Sequence, residues 1–215
     1  MIEGQIGYMR YAAALAVGLL VSPTTGICQS LPGHHGTVIY FVRHGEVDPT
    51  LPTFPLSEAG KLRARTFART VGSVQFTHVF SSHTTRARQM VEPVAEDLHL
   101  PVQQLPRPGE KVDSIVISDR TPSRAAVEPL VETLRALPAG STALVGVNSD
   151  NIYAILHGMG VPAGTAGNPC VKGSTCVPCL TNACFPGGED QLWILIVNSP
   201  AVLPRLIELR YGATP

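Results

Sequence analysis

The chain has 215 residues, 44% hydrophobic and only 15% charged, enough for one well-filled core. Its 16 Lys and Arg balance its 16 Asp and Glu, so no global field directs it to nucleic acid or to an anionic membrane. Any anion it binds is held by a local cluster.

Residues 1–30 read as a signal peptide. Tyr11 to Val21 is an apolar run of the length of a signal-peptide core and short for a membrane span. Glu3 is awkward in a positive leading region, and a start at Met9 would leave Arg10 as the only charge before the run. Cleavage after Gly26 or after Ser30 suits the small-residue preference. The expectation is an exported protein, periplasmic or extracellular, with no stable membrane span once the leader is removed.

Residues 31–215 are expected to form a single domain in which strands and helices alternate. Val38 to Val42 reads as a buried strand that stops at Arg43-His44-Gly45-Glu46. A loop rich in Pro and Thr, residues 48–55, precedes a helix capped by Ser57 and running to about Val71. Phe76 to Ser81 is a second strand, and Thr84 or Thr85 opens a helix to about Leu98 with Ala87, Met90, Val91 and Val94 on one side. Residues 99–119 read as loop with one short extended piece. Thr121-Pro122 begins a helix to about Leu137, with Pro in the first turn. Ala143 to Val147 is a third strand, followed by a helix capped by Ser149 or Asp150 and ending at Met159. Two strands, Leu192 to Val197 and Arg205 to Arg210, close the chain.

Cys170, Cys176, Cys179 and Cys184 crowd a turn-rich segment, residues 168–187, and Cys28 would leave with the leader. In an oxidising compartment this even set reads as two disulfides, with three pairings open. A four-thiolate zinc site is the alternative: Cys176 and Cys179 have ligand spacing, but the outer spacings fit it poorly. The alternating elements argue for a three-layer α/β/α sandwich with a mostly parallel central sheet. In such folds ligands bind beyond the carboxyl ends of the strands. There, an imidazole at a strand end beside a guanidinium fork and a glycine suits phosphate chemistry.

Four segments carry a resemblance to the histidine phosphatase superfamily, also called phosphoglycerate mutase-like. They are Val42-Arg43-His44-Gly45-Glu46, Pro55-Leu56-Ser57-Glu58-Ala59-Gly60, Val79 to Met90 with Arg86-Ala87-Arg88-Gln89, and Ala143 to Ile152. The ending from Leu192 to Gly212 is similar to that of exported bacterial members. The resemblance implies phosphoryl transfer through a phosphohistidine on His44, with Arg43 and Arg86 clamping the phosphoryl oxygens. It implies a carboxyl proton donor at about Glu110, with Glu46 and Asp113 as rivals. No metal and no cofactor are required. The expected partner is a small phosphorylated substrate or a phosphoprotein.

One departure stands out. Where the family pattern places a second histidine, this chain has Val147-Asn148, and Asn148 is the polar choice. Its amide can donate to a phosphoryl oxygen but brings no charge. The alternative to a phosphomonoesterase is therefore a non-catalytic domain that binds a phosphorylated ligand. Arg88 reads as a solvated helix residue, His83 as exposed, and Glu189 and Asp190 as caps of the strand that follows.

Overall fold

The structure is a computed structural model that describes residues 36–106, 109, 111–112, 115–116, 127–149, 151–162, 188–199 and 201–212. The expected signal peptide, Glu110, Asp113, Asp150 and the cysteine-rich segment lie outside the described residues. The unit that contains the described residues runs from His34 to Pro215.

Six strands form one sheet: β1 (Thr37–Arg43), β2 (His78–Ser81), β3 (Val102–Gln104), β6 (Thr142–Val147), β7 (Gln191–Val197) and β8 (Arg205–Arg210), in the order β3-β2-β6-β1-β7-β8. The pairs β1·β6, β2·β6 and β2·β3 are parallel, while β1·β7 and β7·β8 are antiparallel. The sheet is therefore mostly parallel, with an antiparallel edge. Two further pieces, β4 (Lys111–Val112) and β5 (Ile115–Val116), pair antiparallel by themselves. The stretch expected to hold one extended piece thus holds three, two of them too short to leave a periodicity in the sequence.

Alternation of side chains across β1 sorts the core into two layers. Ile39 and Phe41 join Ala143, Val145, Val147, Trp193 and Leu195 beneath α3 (Val127–Arg135) and α4 (Ile152–Gly158). Val42 joins Val79, Leu144 and Leu192 beneath α1 (Glu58–Thr70) and α2 (Thr85–Asp97). Helices on both faces explain why the central strands are apolar throughout rather than alternating. Trp193, Phe41, Phe67 and Phe80 are fully buried or nearly so, each contributing on the order of 1.5–3 kcal/mol by leaving water. Among the described residues no helix is long and apolar enough to cross a membrane.

The helix starts follow local chemistry. Ser57 Oγ accepts the Gly60 N–H at 3.2 Å, and Glu58 sits in the first turn of α1, as capping and the helix dipole favour. In α2 the cap residue Thr84 makes no side-chain cap bond, because its hydroxyl donates elsewhere, as described below. The cap of α4 is Asn151 rather than Ser149 or Asp150. Its Oδ1 accepts the Asn148 N–H at 3.0 Å, across the turn rather than into the helix.

Close backbone approach sets the spacing of α2 on the sheet. A Cβ added at Gly146 would lie 2.3 Å from the Ala87 carbonyl oxygen. Gly146→Ala should therefore push the first turn of α2 off β6 and lower stability by about 1–3 kcal/mol. An unchanged denaturant midpoint would show that the contact yields freely.

Candidate active site

Three parallel strand ends meet at one sheet edge. The His44 N–H donates to the Val147 carbonyl at 3.1 Å, and the Ser82 N–H donates to the Gly146 carbonyl at 2.8 Å. These bonds extend the β1·β6 and β2·β6 ladders one residue past the strands, so His44, Asn148 and the β2–α2 loop face a common edge. The turn after His44 is held from the other side by α1. A Cβ on Gly45 would meet Gly60 at 3.1 Å, and one on Gly60 would fall 2.1 Å from the Glu46 carbonyl oxygen. Only glycine at both positions allows that approach.

His44 is buried, with 8% of its surface exposed. Its Nδ1 lies 2.8 Å from the Gly45 carbonyl oxygen. A carbonyl can only accept, so Nδ1 carries the proton and Nε2 keeps its lone pair. Burial lowers the His44 pKa from its ordinary 6.5 to about 4; the bond to Gly45 opposes the shift, and the charges of Arg86 and Arg43 add to it. Both guanidinium groups, 43 positions apart in the sequence by subtraction, thus act on one imidazole. Near neutrality that imidazole is uncharged, which is the form of a nucleophile.

Arg43 donates from Nη1 to the Gly188 carbonyl at 2.7 Å, and its Nη2 lies 3.5 Å from Glu189 Oε1. Burial lowers the pKa of this guanidinium, and Glu189 opposes that most. Arg86 occupies the second position of α2, a helix with no acidic residue in its first turn. A cation there opposes the helix dipole, and an anion bound beside it relieves the conflict. Arg88 instead points away, in an exposed pair with Glu92 at 2.9 Å, as the sequence suggested.

Asn148 is 1% exposed and Val147 is fully buried among the α3 and α4 side chains. Of the two candidates for the second-histidine position, only Asn148 faces the site edge. Its Oδ1 accepts from Thr84 Oγ1 at 2.9 Å and its Nδ2 donates to Ser82 Oγ at 2.6 Å. The amide therefore ties β6 to the loop that leads into α2 and Arg86. His83, between those two hydroxyl residues, is fully buried rather than exposed; its carbonyl accepts from Gln104 Nε2 at 2.7 Å, which anchors the loop to β3. His157, at the far end of α4, is exposed.

Glu46 is occupied by Arg63. Arg63 Nε lies 3.1 Å from Oε1 and 3.0 Å from Oε2, and Nη2 reaches Oε1 as well. Hydrogen bonding to Arg63 holds the Glu46 carboxyl below its usual range, whereas a general acid near neutral pH needs the opposite shift. Glu46 is thus a brace between the His44 turn and α1. The Arg63–Glu46 pairing was missed in the sequence because nothing in a one-dimensional pattern aligns a loop carboxylate with a helix face 17 residues on. Glu189 was read as a strand cap, yet it pairs with Arg43, and Asp190 pairs with Arg210 at 2.9 Å. A cavity of about 490 Å³ opens at the opposite end of β1, beside Thr37, Ile39, Arg135 and Val197. Among the described residues no cluster could hold a metal ion.

The arrangement of sheet, helix layers and basic strand edge defines an α/β protein of phosphoglycerate mutase-like fold. Residues 39–111 match the model of the histidine phosphatase superfamily, branch 1, a segment that carries both His44 and Arg86. No curated protein matches the chain. Among solved structures it is similar to mycobacterial hydrolase 1, at 16% identity and a TM-score of 0.54 over 82% of this chain and 99% of that one. It is also similar to the mycobacterial glucosyl-3-phosphoglycerate phosphatase, at 16% identity and a TM-score of 0.53 over 82% and 99%. The same enzyme in complex with VO3 gives 17% identity and a TM-score of 0.54 over 81% and 99%. At these identities the likeness is one of fold.

Asn148→Ala should leave the buried hydroxyls of Ser82 and Thr84 without the amide and cost about 2–4 kcal/mol. Chemical denaturation checks this; a loss below about 0.5 kcal/mol would mean the amide bonds are not structural.

Proposed function

We propose that this protein is a phosphomonoesterase working through a covalent phosphohistidine on His44. The observation that carries the proposal is the state of that imidazole: buried, uncharged near neutrality, protonated at Nδ1, and flanked electrostatically by Arg43 and Arg86. Nε2 attacks phosphorus and the P–O bond to the alcohol breaks. The leaving alkoxide takes a proton from a carboxyl group, assigned here to Glu110. Water, giving its proton back to that carboxylate, then cleaves the P–N bond and releases inorganic phosphate. The two guanidinium groups offset the charge on the equatorial oxygens as each transition state forms. The substrate is a small phosphate ester or a phosphoprotein. The leader-like run Tyr11 to Val21 supports an exported protein of the bacterial type; a full-length chain recovered only from the cytosol would sink that part.

A second reading is favoured by Asn148. No imidazole stands at that strand end, and both polar atoms of the amide are engaged by Ser82 and Thr84. On this reading the pocket binds a phosphorylated ligand without turning it over. Rapid quench with a radiolabelled aryl phosphate separates the two. The esterase forms an acid-labile phosphoryl adduct that disappears in His44→Ala. Phosphate binding with no adduct, His44 intact, assigns the protein to the second reading.

The nucleophile's titration gives an independent check. The folded pKa of about 4 lies below the ordinary 6.5, so the neutral form persists as pH falls from 7 and is lost only on passing through about 4. Between those two values the unfolded chain binds the extra proton, so this residue makes stability decline as pH drops across that window. Imidazole nitrogen NMR should show a resonance, absent in His44→Ala, that stays neutral at pH 5. A midpoint near 6.5 would contradict the buried geometry.

A further inference from the structure

The corner where β7 begins is built around the Arg43 side chain. The β1·β7 register pairs Val42 with Leu192, which brings residues 188–190 alongside the end of β1. Gly188 adopts a φ of +92°, and a Cβ there would lie 2.8 Å from Asp190 Oδ1. Asp190, 4% exposed, is gripped by Arg210 Nη1 at 2.9 and 3.2 Å. The Tyr211 N–H donates to the Asp190 carbonyl at 2.9 Å, and the Tyr211 hydroxyl to the Glu189 carbonyl at 3.1 Å. The Tyr211 ring itself packs edge-on against Phe67 of α1, centroids 5.0 Å apart. Two main-chain bonds and an ion pair thus fix the position from which Glu189 meets Arg43.

We infer that Glu189 is a positioning residue for Arg43 and that its carboxylate tempers the affinity of the site for phosphate. The inference rests on the reading that Arg43 and His44 receive a phosphoryl group. A guanidinium is a planar fork, so two contacts on one side, the Gly188 carbonyl and the Glu189 carboxylate, fix its plane. Orientation of this kind is what a loose, highly charged transition state rewards. The same carboxylate repels the incoming dianion at short range. Glu189 therefore trades ground-state phosphate affinity for a fixed clamp, which favours release of product phosphate.

Two variants separate the roles. Glu189→Gln keeps an acceptor oxygen and the main-chain bonds but removes the charge. Calorimetry should find inorganic phosphate bound about tenfold more tightly than by the wild type, with the single-turnover rate of phosphohistidine formation within about threefold. Glu189→Ala removes the acceptor as well, and that rate should fall by about tenfold or more. If the alanine variant does not fold, the phosphate affinity of the glutamine variant decides alone. A wild type that binds phosphate while Glu189→Gln binds it no more tightly overturns the inference and leaves the esterase reading standing. A wild type that forms no phosphohistidine overturns that reading and this inference with it.

Discussion

The β1·β6 pairing is the constraint on which the site depends. Its parallel register sets Arg43 opposite Val147 and continues one bond further, from the His44 N–H to the Val147 carbonyl. Because β2 also pairs with β6, with Ser81 opposite Gly146, three separate segments end on the same line. Parallel strands leave their connecting loops on one edge, so reactive groups remote in sequence converge there. Had β1 slipped by one residue, His44 would face the opposite helix layer.

Charge at that edge is arranged with few groups. An uncharged imidazole feels the charge of two cations, and burial disfavours protonating it. Arg43 is largely enclosed, its side chain 13% exposed, and it faces the Glu189 carboxylate. A buried guanidinium without a counter-charge would cost several kcal/mol, so a carboxylate beside it is physically required when no ligand is bound. Arg63 performs a different task, locking Glu46 and with it the turn after His44. Two arginine–carboxylate pairs therefore flank His44 in sequence: one faces the Arg43 guanidinium and the other holds the backbone turn.

Asn148 shows a polar side chain at a strand end used for architecture. Its amide joins the hydroxyls of Ser82 and Thr84 in one buried network, and Thr84 gives up its side-chain cap of α2 to take part. The network is worth more than its separate bonds because each member would be buried and unsatisfied if another left. The loop that leads into α2 and Arg86 is thus anchored on β6 through Asn148 and on β3 through Gln104.

Much of the fold was legible in the sequence. Apolar runs marked β1, β2, β6 and β7, Ser57 marked the start of α1, and the order of elements implied a sheet covered on both faces. The segments around His44 and Arg86 drew attention through residue type and order, and both stand at the carboxyl edge of the sheet. What stayed hidden were contacts between chain segments that share no local pattern: Glu46 with Arg63, Glu189 with Arg43, the burial of His83, and Asn148 bridging two hydroxyls. Periodicity reports which face of an element is apolar, whereas the pairing of two polar side chains depends on where separate elements cross. The amino-acid order by itself therefore determined the layers and the reactive residue types. Tertiary structure alone decided which charges meet, because sheet register and helix docking set distances that no single segment encodes.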